Sequence, residues 1–205
     1  MPSPTWPDTE PTEVELHAGD ARLGIDLRGG GICRLTVGTW DLLAGYPAGT
    51  VVPGWPGAVL LPWPNRIRDG RWSWQGRDLQ LDVVSPEAPN ALHGLVHWQR
   101  WVALGGTGGS TTVATTVERH AGYPFRLACA LDYALGPNRL AVTIHVRNLG
   151  TDAAPFGAGM HPYLSVGAQV DGAIDDAELD LPARTVLEPG RQWQGSWSLA
   201  WTPAG

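Results

Sequence analysis

Three observations in the sequence predict an all-β protein, built as a sandwich or as stacked sheets. Short runs of alternating apolar and polar residues recur along the chain between Gly, Pro and Asp turns. Two of these runs form a matched pair: Phe125, Leu127, Cys129, Leu131, Tyr133 and Leu135 alternate without a break, as do Leu140, Val142, Ile144 and Val146, with Gly136-Pro137-Asn138 between them. Alternation of period two on both sides of a turn cluster is the pattern of an antiparallel hairpin with one face buried. Finally, 27 Gly and 18 Pro leave no window with a capped helical stripe.

In chain order, residues 1–11 are rich in Pro, Ser, Thr and acid and read as a loose N-terminal arm. Strands are expected over 22–28 and 32–37, over 72–75 and 79–83, and over 111–118, before the 125–148 hairpin. No fixed-period repeat and no linker interrupts residues 12–205, so they read as one domain. With 205 residues, 43% of them hydrophobic, the chain has enough apolar material for a sizeable core.

A net charge of −6 and a pI near 5.4 argue against a general nucleic-acid binder, which needs a basic face. The chain has no lysine, so every fixed positive side chain is an Arg. Cys33 and Cys129 are far apart and in no metal-ligand spacing, and Cys129 falls in a strand pattern as a small buried thiol. The N-terminus has no basic region followed by an apolar stretch, and no apolar run is long enough to span a bilayer. A cytoplasmic protein with neither nucleic-acid nor membrane partners is the default expectation.

Chemistry is concentrated in three short polar islands, each carrying Gly or Pro that fixes its backbone. They are Pro62-Trp63-Pro64-Asn65-Arg66-Ile67-Arg68-Asp69-Gly70, Asn90-Ala91-Leu92-His93-Gly94 and Gly159-Met160-His161-Pro162-Tyr163. Arg66 is expected on a loop feeding a hairpin, because Asp69-Gly70 is a turn signal. Its guanidinium is a rigid fork of donors suited to vicinal hydroxyls or a ring oxygen. An ion pair with Asp69 is the competing reading.

His93 lies in a loop-like stretch. His97, four residues on, would make a metal pair only on a helix, and no third ligand completes a set. His161 follows Gly157 and Gly159 in an alternating run, so as a strand residue it would face away from the core beside open space. Imidazole titrates near neutrality and can give or take a proton there. His17, His120 and His145 lack such settings, and His145 is expected to face solvent. Eleven Trp against two Phe fit stacking on sugar rings, but for any single Trp the filling of a core is the favoured reading.

Taken in this order and spacing, the islands resemble the aldose 1-epimerase (mutarotase) family, and most closely a bacterial branch with Pro-Trp-Pro-Asn-Arg-Ile. The likeness takes in Gly29-Gly30-Gly31, Leu61 to Gly70 with Arg71-Trp72, Leu92-His93-Gly94, the 125–148 hairpin and Gly159 to Tyr163. The resemblance implies a β-supersandwich like that of galactose mutarotase, with a free aldohexose held in an open cleft. It implies that Arg66, with Asn65 beside it, and His93 bind the sugar's hydroxyls and ring oxygen, and that His161 protonates the ring oxygen. His93 and His161 are thus the expected catalytic pair, with no cofactor and no metal.

In the family a glutamate acts as base and an aspartate binds a sugar hydroxyl, both from a C-terminal segment. This chain stops at Thr202-Pro203-Ala204-Gly205, about where that segment is expected to begin. Glu87, Glu118, Glu178 and Glu188 are available carboxylates, and none has a setting that resembles the family base. The expectation is an incomplete mutarotase-like domain with a sugar grip and an acid. Strand edges left without neighbours would offer a route to self-association. A non-catalytic carbohydrate-binding or regulatory module on the same fold is the alternative.

Overall fold

The computed structural model describes residues 11–50, 53–83, 89–165 and 185–201. All but the last residue of the expected N-terminal arm, Glu87, Glu178 and the terminal Thr202 to Gly205 lie outside the described residues. The described residues form strands and turns, with no helix, as the sequence predicts.

A four-stranded antiparallel sheet opens the chain: β1 (Glu13–Ala18), β2 (Ala21–Asp26), β3 (Ile32–Val37) and β4 (Trp40–Asp41), neighbouring in that order. Short strands follow: β5 (Val59–Leu60), β6 (Arg66–Arg68), β7 (Arg71–Trp74), β8 (Arg77–Gln80) and β9 (Asn90–Leu92). A five-stranded sheet then runs β10 (Val102–Thr107), β11 (Ser110–Val117), β12 (Leu127–Gly136), β13 (Arg139–Asn148), and finally β17 (Gln192–Ala200). Between β13 and β17 in sequence lie β14 (Ala154–Phe156), β15 (Gly159–Met160) and β16 (Thr185–Leu187).

The predicted hairpin is β12–β13, in register from Leu127↔Asn148 to Gly136↔Arg139, so Pro137-Asn138 is a two-residue loop. Its alternation is realised in burial: Leu127, Cys129, Leu131, Tyr133, Leu140, Val142, Ile144 and Val146 are buried. They join Leu23, Ile25 and Leu35 of the first sheet in one core, which makes the two sheets one packed unit. Tyr133 ties them together, its buried hydroxyl donating to the Gly30 carbonyl at 2.6 Å. His145 lies on the opposite, half-exposed face of β13, as expected, 2.8 Å from Asp132.

Some boundaries differ from the sequence reading. The strand expected over 22–28 ends at Asp26, whose carboxylate accepts the Arg28 N–H at 2.8 Å and turns the chain. The pair expected over 72–75 and 79–83 is β7–β8, displaced toward the N-terminus. Gln75 and Gly76 both have positive φ (49° and 77°), the requirement of a tight two-residue hairpin turn, so the turn comes earlier than composition suggests.

Candidate active site

β5 and Leu61, which follows it, assemble the site. On one side β5 pairs with β15, Leu60 opposite Gly159 and Val59 opposite Met160, and the His161 N–H donates to the Ala58 carbonyl at 2.9 Å. Alongside, Leu61 bridges Gly94 in parallel, and the Leu95 N–H donates to the Leu61 carbonyl at 2.6 Å. One extended segment therefore holds the third island against the second.

The first island is stitched to the second by β6–β9, with Arg66 opposite Leu92 and Arg68 opposite Asn90. The His93 N–H continues that pairing to the Asn65 carbonyl at 2.9 Å. Arg66 thus begins a strand instead of lying on a loop, because Asn65, at φ 62°, turns the chain directly into the ladder. Its guanidinium donates to Asn65 Oδ1 at 3.4 Å, so its partner is Asn65 and not Asp69. Arg66 and Arg68 are exposed while Ile67, on the other face, lines an apolar hollow of about 380 Å³ with Trp63, Trp72 and Tyr123.

The imidazoles of His93 and His161 meet edge to face, with ring centroids 5.3 Å apart and planes at 87°. His93 is buried at 8% exposure, and its pKa is held below the usual imidazole value by desolvation, then by His161 and Arg66. Lowered in this way, the pKa favours the neutral form. His161 is less enclosed and stacks on Tyr163 (5.1 Å, 20°), whose hydroxyl donates to the Gly54 carbonyl at 3.2 Å.

The open space expected beside His161 is not where the glycines are. A Cβ on Gly157 would lie 3.1 Å from Pro64 Cδ, and one on Gly159 3.4 Å from Pro64 Cβ. These glycines admit Pro64 of the first island; they shape the site by letting two islands pack, not by leaving room for a ligand.

Trp55 escapes the sequence reading, and Tyr163 and His97 enter it without the part they play here. Trp55 sets its indole against both His93 (5.2 Å) and His97 (6.1 Å) at steep angles. Tyr163 was visible only as part of a motif. His97 is neutral, its pKa pushed down to about 4 by burial against the opposing pull of a hydrogen bond to the His93 backbone. A faint signal existed for Trp55, since Gly54-Trp55-Pro56-Gly57 is a turn sequence with a bulky residue inside it. In the structure Trp55 has φ 53° and His93 φ 59°, a conformation costly for bulky side chains and found where surrounding structure enforces it.

Among the described residues no group of three His, Cys, Asp or Glu is placed to hold a metal ion. No described helix is long and apolar enough to cross a membrane. Glu118 is engaged by Arg126 through Nε and Nη2 at 2.9–3.1 Å, which holds its carboxyl below the ordinary value.

Residues 13–195 match the aldose 1-epimerase family. The uncharacterized protein YihR of Escherichia coli (strain K12) is 36% identical over 174 residues, covering 84% of this chain and 56% of that protein. YphB of the same organism, also uncharacterized, is 30% identical, covering 77% and 53%. A crystal structure from Escherichia coli K12, named as a candidate aldose 1-epimerase, superposes with a TM-score of 0.67 at 28% identity, covering 77% of this chain and 53% of that one. A galactose mutarotase related enzyme from Lactobacillus acidophilus shares the fold (TM-score 0.63, 18% identity, 93% and 65% covered). The chain spans about half the length of the curated relatives it matches. By this match, and by the all-β fold that goes with it, the chain belongs to the aldose 1-epimerase family.

Proposed function

We propose that this chain binds a free aldohexose over the His93–His161 pair and acts in the interconversion of its α and β anomers. The observation that carries the reading is the edge-to-face meeting of His93 and His161 from two islands on either side of residues 59–61, with Arg66 laid opposite Leu92, next to His93, by the β6–β9 pair. Arg66 and Asn65 supply donors and an acceptor for neighbouring hydroxyls. Buried and neutral, His93 has ring nitrogens for a hydroxyl or the ring oxygen. His161, the more open of the two rings, delivers a proton to the ring oxygen as the C1–O5 bond breaks. In the same event the anomeric hydroxyl passes its proton to a solvent water, the C1–C2 bond rotates, and closure on either carbonyl face, with the protons returned, completes the exchange. Such chemistry needs positioning and proton transfer alone.

The proton acceptor is not assigned to Glu118, which Arg126 engages, nor to any other carboxylate of the chain. That leaves a second reading, favoured by the absence of any carboxylate among the described groups that act on His93: a sugar-binding module that holds the ring without turning it over. Polarimetry of fresh α-D-glucose and α-D-galactose tests both. Turnover above buffer, reduced about 10²-fold or more in His161→Ala, supports the epimerase. Stereoselective sugar binding without turnover, lost in Arg66→Ala, supports the module. If neither substitution changed binding or rate, the site assignment would be wrong.

A further inference from the structure

Trp55 and His97, the two rings that support His93, also line a small cavity of about 40 Å³ with Asp26, Arg28, Tyr46 and Ala58. Three of its lining residues carry a buried polar atom with no hydrogen-bond partner among the described residues: Arg28 Nη2, Trp55 Nε1 and His97 Nδ1. Buried polar atoms are nearly always satisfied, so three around one hollow call for a common partner. Asp26, whose Oδ1 accepts from the Arg28 backbone (2.8 Å) and Oδ2 from that of Gly49 (3.0 Å), bonds none of the three atoms.

The chemistry of the three atoms specifies that partner. Arg28 and Trp55 can only donate. His97 is neutral and has one N–H. On the Nε2–H tautomer the buried, partnerless Nδ1 presents a lone pair, and that is the tautomer required by a species whose two lone pairs are taken by Arg28 and Trp55. Two donors and one acceptor suit a species that accepts twice and donates once. A halide would satisfy Arg28 and Trp55 but has nothing to give Nδ1. Water fits, since buried waters make about three hydrogen bonds.

We infer that this cavity binds one ordered water, which accepts from Arg28 Nη2–H and Trp55 Nε1–H, donates to His97 Nδ1, and thereby fixes His97 as a positioning residue for His93. The water ties Arg28, beyond β2, to the loop that follows β9. Its link to sugar chemistry rests on the role proposed above for His93; its existence does not.

The test therefore has two independent arms. In the wild-type chain labelled with ¹⁵N, long-range ¹H–¹⁵N spectra should show His97 as the Nε2–H tautomer at neutral pH. The Trp55 indole proton, assigned by its loss in Trp55→Phe, should show a dipolar cross-peak to a long-lived water. A Nδ1–H tautomer, or an indole proton with no such cross-peak, overturns the water site whether or not the chain turns over sugar. In the second arm, His97→Phe removes both hydrogen bonds, while His97→Gln keeps a donor and an acceptor. Where the wild type mutarotates, kcat should fall roughly tenfold in His97→Phe with little change in KM, and recover in His97→Gln. Equal kcat in all three proteins overturns the positioning role. A wild type with no turnover defeats the epimerase reading instead, and leaves the first arm to decide the water.

Discussion

His93 and His161 meet edge to face at 5.3 Å, and the segments that carry them flank residues 59–61: Gly159–Met160, just before His161, pairs with β5, and Gly94, just after His93, bridges Leu61. Neither histidine contributes its ring to that ladder; the backbone places both. The geometry of the pair therefore depends on backbone contacts that can be broken without touching a ring.

Gly94 is the most exposed point of that arrangement to mutation. It has φ 81°, and a Cβ there would collide with the Leu61 carbonyl oxygen. Backbone cannot move aside as a side-chain tip can. Gly94→Ala should destabilise the chain by ~3 kcal/mol or more, measured by urea denaturation, and should abolish sugar binding with it.

Asn65 has two separable functions, a left-handed backbone (φ 62°) and a side-chain acceptor for Arg66. Asn65→Gly keeps the first and loses the second. Its stability should stay within about 0.5 kcal/mol of wild type while sugar affinity drops. Asn65→Ala should cost about 1 kcal/mol more than Asn65→Gly in thermal or denaturant unfolding. Equal stability of the two variants would mean that the backbone conformation is not what selects Asn65.

His97 should make stability fall with acid. Its folded pKa, about 4, lies below the ordinary 6.5, so between these values the unfolded chain binds the extra proton. Stability is then fully present above pH 6.5, is lost as pH falls toward 4, and falls no further on this account below that. The difference is at most ~3 kcal/mol at 1.36 kcal/mol per unit. The lowered pKa of His93 acts in the same direction. The raised pKa of Asp26 acts oppositely in both proteins, so it cancels when wild type and His97→Gln are compared. Denaturation series from pH 7 to pH 4 should show a shallower slope for His97→Gln.

Cys33 and Cys129 are both buried thiols, with pKa values pushed up to about 12 by desolvation. As the thiolate is the nucleophile, neither should react with a disulfide reagent at neutral pH in the native chain. Both should react together on unfolding, giving two thiols per chain in guanidinium. Fast labelling of either under native conditions would show that its part of the core opens readily.

Much of the fold was legible because alternation is a local property. Leu127 to Leu135 and Leu140 to Val146 each declare which side chains face inward, whatever strands become their neighbours, and the structure buries those residues. The β7–β8 boundaries were less legible, since Gln75-Gly76 performs a turn that composition usually signals with Asn or Asp. Arg66, His93 and His161 were legible as candidates by residue type and by motif. The supports of His93 were not: Trp55 and His97 look like ordinary hydrophobic and loop residues until tertiary structure sets them against it.

The sequence by itself determined the strand-and-turn character, the inward faces, the burial of Cys129 and the family. Each of these follows from residue type, from period-two spacing or from a run of a few residues. Only the tertiary structure decided that Leu60 and Leu61 would stand between the two histidine segments, that Pro64 would fill the space beside Gly157 and Gly159, and that Arg28, Trp55 and His97 would surround one small polar cavity. Those juxtapositions join segments distant in sequence. They are set by strand register and close packing of one shared core, and no local pattern carries that information.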